Sequence, residues 1–222
     1  KRNRESIYRS DGYLDDRGDE PQMLSRKGGQ KAEFLASVKG YVRVYRFGAS
    51  ALSSYRLIKR DPNSDVQDML DLAQQQNIEL AFLISPVHAR HLALIKALGQ
   101  WERFENWKRQ LAFMVGEPKT NGQCVLRDFT TINEITSEAV PPEESKVAMK
   151  WWRESSHASS AAGWKMLDVI QSGISSIENY VDCLTPSGID AILARERQAL
   201  IEWENRNPAD LAEIQNLANN GL

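Results

Sequence analysis

A short apolar run, IELAFLI at residues 78–84, stops at Ser85-Pro86 and decides the fold class. A helix is predicted before it, and Ser64 can cap the first turn of that helix. The apolar face of the helix consists of Val66, Met69, Leu70 and Ala73. An apolar run of this length after an amphipathic helix is typical of a buried strand in a parallel sheet. The stretch therefore indicates an α/β protein.

The rest of the chain continues the same alternation. Apolar residues at three- and four-residue spacings predict helices over residues 31–47, 49–58, 88–98, 101–115, 161–170, from Thr185-Pro186 to Trp203, and a short last one to about Leu217. The helix at 161–170 places Trp164, Leu167 and Ile170 on one side. A second strand is predicted at residues 123–129, followed by a long polar connection at residues 130–144. Two strands alone do not make a stable sheet, so we expect sheet-forming sequence upstream of Lys1.

Composition and charge exclude several function classes. The 222 residues include 28 Lys and Arg against 30 Asp and Glu, and the formal net charge of −2 argues against a nucleic-acid-binding surface. No apolar run reaches the ~20 residues that a membrane-spanning helix needs.

Cys124 and Cys183 are compatible with one disulfide or with two buried thiols, and the frequent burial of free cysteine favours thiols. No CxxC or Cys/His array is present, so no metal or other cofactor is expected.

The strongest candidate site is Glu154-Ser155-Ser156-His157, which follows the long connection and precedes a helix. Reactive groups collect beyond the carboxyl ends of the strands in open α/β sheets, so this position fits a catalytic centre. A carboxylate three residues before a histidine can contact its ring in a turn. It then fixes the tautomer and stabilises the imidazolium that forms when the ring takes a proton from a hydroxyl. The alternative is that these four residues only cap the following helix.

Other residues are candidates for supporting or lining this site. Asp128 ends the second predicted strand and is a supporting group, a second acid for His157 or the cap of a turn. Ser85 ends the first predicted strand, and this position at a strand end makes it a candidate for lining the pocket. At most one residue of Trp151-Trp152 can wall a substrate pocket, because adjacent side chains point in different directions. Trp152 is the residue assigned to that wall.

Two histidines, His88 and His91, stand three residues apart at a predicted helix start. His88 can face the same crevice as the candidate base. A pair with this spacing can also ligate a metal, but the sequence offers no third ligand nearby. The favoured interpretation is therefore that His91 is exposed and that His88 bonds a neighbouring carbonyl group.

The segment Glu154–His157, followed by Gly163-Trp164-Lys165-Met166-Leu167, resembles the last block of the SGNH (GDSL-type) hydrolase superfamily. In that block an Asp-x-x-His precedes a glycine and an apolar helix. The strands that end at Ser85-Pro86 and Asp128-Phe129 occur before it in the expected order. More closely, residues 64–200 are similar to bacterial envelope proteins related to the D-alanine transfer and alginate acetylation proteins. The matching stretches are residues 82–89, 101–111, 128–129 and 149–167.

The resemblance implies a partial three-layer, flavodoxin-like fold with parallel strands and many helices. Residues 31–222 would be the C-terminal part of this domain with a helical extension, behind an exposed arm at residues 1–30. His157 would be the general base and Glu154 its orienting acid, where Asp is usual. The Gly-Asp-Ser nucleophile block of the superfamily and its oxyanion-hole blocks are not found in the sequence. We therefore expect the chain to be a fragment whose nucleophilic serine precedes Lys1 or occupies an unrecognised position.

The function that the resemblance implies is an ester hydrolase or acyltransferase acting on cell-envelope glycans. The implied substrate is an acylated glycan or small ester, the implied partner is a membrane-bound acyltransferase, and the implied location is the periplasm or cell envelope. The missing nucleophile block and the Glu154 substitution keep a second hypothesis open, a catalytically inactive binding or assembly component of the envelope. A third is a mainly helical interaction module that lacks the two predicted strands.

Overall fold

The computed structural model describes residues 27–47, 62–117, 124–173 and 175–220, which contain seven helices and three strands. The helices are α1 (Gly29–Phe47), α2 (Pro62–Gln75), α3 (Ala89–Ala97), α4 (Trp101–Val115), α5 (Ser160–Ser172), α6 (Ile189–Arg206) and α7 (Pro208–Asn220). The strands are β1 (Phe82–Ile84), β2 (Leu126–Asp128) and β3 (Asp182–Cys183). None of the helices in these ranges is long and apolar enough to cross a membrane. The helix predicted at 49–58 and most of the arm predicted at 1–30 lie outside the described residues.

The three strands form one small sheet in the order β1-β2-β3. β1 lies parallel to β2, with Phe82 opposite Leu126, so the two predicted strands and their parallel direction are confirmed. Both strands are shorter than expected; Ile78, at the start of the first predicted run, lies outside β1 and is 52% exposed. β3 is not among the predicted strands and lies antiparallel to β2, with Arg127 opposite Cys183. The protein is therefore a helix-rich α/β protein with a small mixed sheet.

Helix α3 lies at the centre of the largest apolar cluster. Its residues 89–95 are all buried, and helices α1, α6 and α7 lie around it. The surrounding helices contribute Val38, Val42, Leu200, Trp203, Ile214 and Ala218 to this cluster. Burying a valine, leucine or isoleucine side chain contributes about 1.5–3 kcal/mol to the stability of the folded state. The buried helix α3 therefore anchors the helices around it. The helix ends before Gly99, whose φ of 69° is a left-handed conformation that glycine adopts without strain.

A disulfide between Cys124 and Cys183 joins the chain just before β2 to β3, so the interpretation as two buried thiols is wrong. The two Cα atoms are 5.7 Å apart, because the antiparallel pairing of β2 with β3 brings these chain segments side by side. The bond closes a loop between cysteines 59 positions apart in sequence. It therefore fixes the short edge strand that the sequence pattern does not reveal.

Two helices differ from their predicted forms in detail. α5 buries Ala162 and Val169, whereas Trp164 and Leu167 are 64% and 44% exposed. The inward stripe of α5 also includes Met166 and Ile170, so it is offset from the predicted side. α2 begins at Pro62 rather than at Ser64, and of its predicted apolar face Ala73 is buried while Met69 is 47% exposed.

Candidate functional site

The segment that holds Glu154 and His157 is a tight turn. A backbone bridge between Trp152 and Ala158 closes its base, and Arg153 N donates to His157 O at 2.9 Å across it. His88 N donates to Ser155 O at 3.0 Å, which fastens the tip of the turn to the start of α3. Because the turn is bonded at its base and at its tip, the two candidate side chains are held close together.

Glu154 and His157 contact each other directly, as their spacing predicts. His157 Nδ1 donates to Glu154 Oε1. The His157 side chain is 74% exposed, whereas the Glu154 side chain is 16% exposed. The side-chain contacts of His157 with the described residues all involve Nδ1. An imidazole that is held in this way carries a proton on Nδ1 and can accept another at Nε2.

The interpretation of Glu154–His157 as a helix cap is wrong. Helix α5 is capped by Ser159, whose Oγ accepts a hydrogen bond from Ala162 N at 3.4 Å. The Glu154–His157 turn ends two residues before this cap. Its side chains therefore bond one another and helices α1 and α3 instead of the first turn of α5.

Hydroxyl groups from α1 and from the turn surround Glu154. Ser156 Oγ donates to Oε1 at 2.8 Å, and Ser37 of α1 donates to Oε2. The Tyr41 hydroxyl, one turn further along α1, lies 2.8 Å from Ser156 Oγ. Burial raises the pKa of the Glu154 carboxyl. Hydrogen bonds from Ser37, Ser156 and His157 outweigh burial and bring this pKa below its ordinary value, so Glu154 is a carboxylate at neutral pH.

A buried imidazole lies behind the pair. His91 Nδ1 lies 3.4 Å from Ser155 Oγ, and His91 Nε2 lies 2.9 Å from the Tyr45 hydroxyl. Ser155 Oγ in turn lies 3.0 Å from Ser37 Oγ. Desolvation by burial lowers the pKa of His91 to about 4, although the charge of Glu154 acts in the opposite direction. The expectation that His91 is exposed is therefore wrong, and its ring is a neutral inner group.

His88 belongs to the core and does not join His157. Its Nδ1 accepts from Arg90 N at 3.2 Å, and its Nε2 donates to Glu138 O at 2.7 Å. The bond to a neighbouring carbonyl group is the one that the sequence interpretation favours. Burial lowers the pKa of His88 to about 4, so the ring is neutral. Among the described residues, no group of three His, Cys, Asp or Glu side chains is arranged to hold a metal ion.

Trp152 is a core residue rather than a pocket wall. Its side chain is 1% exposed, its Nε1 donates to Ile135 O at 2.6 Å, and its ring meets His88 edge-on. Trp151 is half-buried, and the Lys150 ammonium lies 4.0 Å from its ring centre. The assignment of Trp152 to a substrate pocket is therefore wrong.

Ser85, the other pocket candidate, is exposed just after β1.

Asp128 belongs to a separate, buried charge cluster. Lys108 Nζ lies 2.6 Å from Asp128 Oδ2 and 2.7 Å from Glu196 Oε2. Thr130 N and Oγ1 donate to Asp128 Oδ1 at 2.9 and 2.8 Å, so Asp128 does cap the following turn. Burial raises the pKa of Glu196 to about 7, because Asp128 adds to this effect and Lys108 only partly offsets it. The contacts of Asp128 thus assign it to the sheet–helix junction and not to His157.

The hydroxyls that complete the site are not among the residues that the sequence pattern predicts for it. Ser37, Tyr41 and Tyr45 recur every four residues along α1 and therefore share one helix face. Because the two tyrosines have the spacing of apolar core positions, the sequence pattern does not indicate that this helix face donates hydrogen bonds. The spacing of three hydroxyl side chains on one helix face is the available signal, but the partners of Ser37 and Tyr41 are 115 to 117 residues away in sequence.

The arrangement can move a proton. Glu154 orients His157, and a hydroxyl brought to Nε2 could give its proton to the ring while the carboxylate stabilises the resulting imidazolium. No family model, curated protein or solved structure matches the chain.

Proposed function

We propose that this chain is part of an SGNH-like ester hydrolase or acyltransferase that acts on cell-envelope glycans. The observation that carries the proposal is the Glu154–His157 contact, in which the carboxylate binds Nδ1 of an exposed imidazole. In the proposal, this pair is the acid–base half of a hydrolytic triad. The parallel β1–β2 pair is compatible with the three-layer fold that the proposal requires.

The nucleophile in this proposal is a serine that the described contacts of His157 do not identify. Its Oγ attacks the acyl carbonyl carbon, and its proton passes to His157 Nε2. The ring then gives that proton to the leaving alcohol oxygen, which leaves an acyl-serine. Water, or a glycan hydroxyl in the transferase case, attacks the acyl-serine and loses its proton to Nε2. That proton returns to the serine as the acyl group departs.

Ser37, Ser155 and Ser156 have a different role in the proposal. Ser37 and Ser156 donate to Glu154, and Ser155 lies 3.0 Å from Ser37 Oγ. Ser156 Oγ lies 3.2 Å from His157 Nδ1, the nitrogen that faces the carboxylate rather than the one that would activate a nucleophile. Ser37 and Ser156 therefore orient the acid, and Ser155 Oγ donates to Glu154 Oε2 at the longer distance of 3.4 Å.

The disulfide supports the envelope location within this proposal. Disulfides persist in oxidising compartments such as the bacterial periplasm and are rare in reducing cytosol. Cys124 and Cys183 form such a bond at the sheet edge. An acylated glycan as substrate and a membrane-bound acyltransferase as partner follow from the resemblance and belong to the same proposal.

The alternative function is a catalytically inactive binding or assembly component of the envelope. It is favoured by the fact that the described serines near the pair are bonded on the acid side of His157. A fluorophosphonate probe applied to the full-length gene product separates the two functions, because it labels only an activated serine. Stoichiometric, specific labelling excludes the inactive component.

The proposed activity is tested on the full-length gene product with an aryl acetate. We expect His157→Ala to lower kcat by about 10²–10⁴-fold, the range for loss of a general base. Glu154→Gln, which keeps the size of the side chain but loses its charge, is expected to lower kcat as well. Gln171→Ala, at an exposed position of α5, is the control and is expected to leave kcat unchanged. Equal turnover by wild type and His157→Ala, well above background, would contradict the role of His157.

A further inference from the structure

Helix α1 reaches Glu154 through two side chains that lie one helical turn apart. Ser37 donates to Glu154 Oε2, and Tyr41 reaches Oε1 through the hydroxyl of Ser156. We propose that Ser37 and Tyr41 are positioning residues for the Glu154–His157 pair, so that α1 determines the orientation and the proton affinity of the acid. Their hydrogen bonds do not go to the His157 ring: Ser37 acts through the carboxylate and Tyr41 acts through Ser156.

The hydrogen-bond directions follow from the chemistry of the groups. A carboxylate only accepts, so Ser156 Oγ donates its proton to Glu154. Ser156 Oγ is then left to accept from the Tyr41 hydroxyl, 2.8 Å away. The result is a chain of donors from Tyr41 through Ser156 to the oxygen that also receives His157 Nδ1. Loss of the first donor would weaken the second, because hydrogen bonds in a chain polarise one another.

The other carboxylate oxygen is bonded from the same helix. Glu154 Oε2 accepts from Ser37 Oγ and from Ser156 N, the latter at 3.2 Å. With both oxygens held, the carboxylate plane cannot rotate freely, and Oε1 stays directed at His157. A carboxylate that accepts several hydrogen bonds is stabilised in its charged form, which accounts for the lowered pKa of Glu154.

Helix α1 is itself held firmly, which lets it act as a rigid support. Phe34 and Val38 are fully buried, and Gln30 Nε2 donates to Trp152 O at 2.6 Å in the segment that carries the pair. Lys31 Nζ binds Glu213 of α7 at 2.6 Å. The helix is therefore fixed both to the site segment and to the helical core.

Within the described part of the chain, the titratable groups that face Glu154 come from three directions. They are His157 in the turn itself, Tyr41 of α1 through Ser156, and His91 of α3. His91 is neutral because burial lowers its pKa to about 4. Any change in the proton affinity of Glu154 on removal of the Tyr41 hydroxyl is therefore assigned to the donor chain rather than to a neighbouring charge.

The test compares Tyr41→Phe and Ser37→Ala with wild type. The pKa of Glu154 is followed through its carboxyl ¹³C resonance, assigned by its absence in Glu154→Gln. We expect both variants to raise this pKa towards the ordinary glutamate value, because each removes hydrogen bonding from the charged form. Ser37→Thr retains the hydroxyl and is expected to restore the wild-type value. An unchanged Glu154 pKa in both Tyr41→Phe and Ser37→Ala would overturn the proposal.

A matched control separates positioning from general destabilisation. Tyr180→Phe removes a tyrosine hydroxyl that is not part of the α1 contacts; this hydroxyl is buried and donates to Ala162 O at 3.4 Å. It is expected to leave the Glu154 pKa unchanged. A rise in that pKa in Tyr180→Phe equal to the rise in Tyr41→Phe would overturn the proposal, because the effect would then be global.

The catalytic consequence of this placement rests on the proposed function, whereas the titration does not. In the full-length gene product we expect Tyr41→Phe to lower kcat about tenfold with KM unchanged, because a misdirected acid affects the chemical step. If wild type shows no esterase activity but Tyr41→Phe still raises the Glu154 pKa, the proposed function fails and the positioning stands. If esterase activity is present and the pKa does not move, the positioning fails alone.

Discussion

Lys108 Nζ lies 2.6 Å from Asp128 Oδ2, and both side chains are fully buried. The lysine joins α4 to the end of β2 and also bonds Glu196 of α6. It is thus the one positive charge between two carboxylates in this cluster of described residues. A buried charge without a partner is costly, so the cluster depends on this single ammonium group.

Replacing Lys108 with Met is expected to destabilise the fold strongly. Methionine keeps much of the volume but leaves Asp128 buried without its cation, and such a loss costs about 3–5 kcal/mol. Urea unfolding at neutral pH measures the change. Lys96→Met is the control, because Lys96 forms a partly exposed ion pair with Glu204. Loss of such a pair costs about 1 kcal/mol or less, so similar losses in the two variants would contradict the importance of the buried cluster.

The same cluster predicts a pH dependence of stability. Burial raises the pKa of Glu196 from 4.5 to about 7, with Asp128 and Asp182 adding to the effect. The folded protein therefore holds a proton that the unfolded chain releases at lower pH. This contribution to stability is complete below pH 4.5 and is lost as the pH rises through about 7.

Glu196→Gln removes this titration while keeping the size of the side chain. We expect the unfolding free energy of the variant relative to wild type to increase between pH 5 and pH 8, by an amount on the order of 2 kcal/mol. Urea unfolding at several pH values measures it. Glu202→Gln, at an exposed position of the same helix, is expected to follow wild type. A constant difference between Glu196→Gln and wild type across this range would refute the prediction.

The Cys124–Cys183 disulfide predicts a redox-dependent stability. Closing a loop between cysteines 59 positions apart stabilises the folded state by about 4 kcal/mol in the loop-entropy estimate. A double Cys124→Ser, Cys183→Ser variant is expected to have a lower Tm than the oxidised protein. Reductant should lower the Tm of wild type towards that of the variant and leave the variant unchanged. A wild-type Tm that does not respond to complete reduction would contradict the role of the bond.

The sequence predicts local features of this fold better than its long-range contacts. The helices, the positions of strands β1 and β2, and the Glu154–His157 contact follow from patterns within a few residues. β3 spans only two residues, too short for any periodicity, and depends on a disulfide partner that is remote in sequence. Ser37 and Tyr41 reach their partners across more than 110 residues, so only the tertiary arrangement of α1 reveals them.

The position of Trp152 shows why the sequence alone does not identify a pocket wall. Trp151-Trp152 directly precedes the site, and the sequence does not tell which ring faces inward. The Trp152 ring is buried beside His88, and its Nε1 donates to Ile135 O. A buried indole whose N–H is hydrogen-bonded stabilises the fold and does not contact substrate.

Trp152→Phe is expected to destabilise the protein by about 2–4 kcal/mol, since it opens a cavity and leaves the Ile135 carbonyl group without its donor. Trp164→Phe, at a position that is 64% exposed, is the matched control and should change stability by about 0.5 kcal/mol or less. Thermal and urea unfolding measure both variants. In the full-length gene product, KM for an aryl ester should be unchanged in Trp152→Phe under conditions where it is folded. A raised KM without loss of stability would contradict this prediction and indicate that Trp152 lines the substrate pocket. Only a side chain that touches the substrate changes affinity without weakening the core.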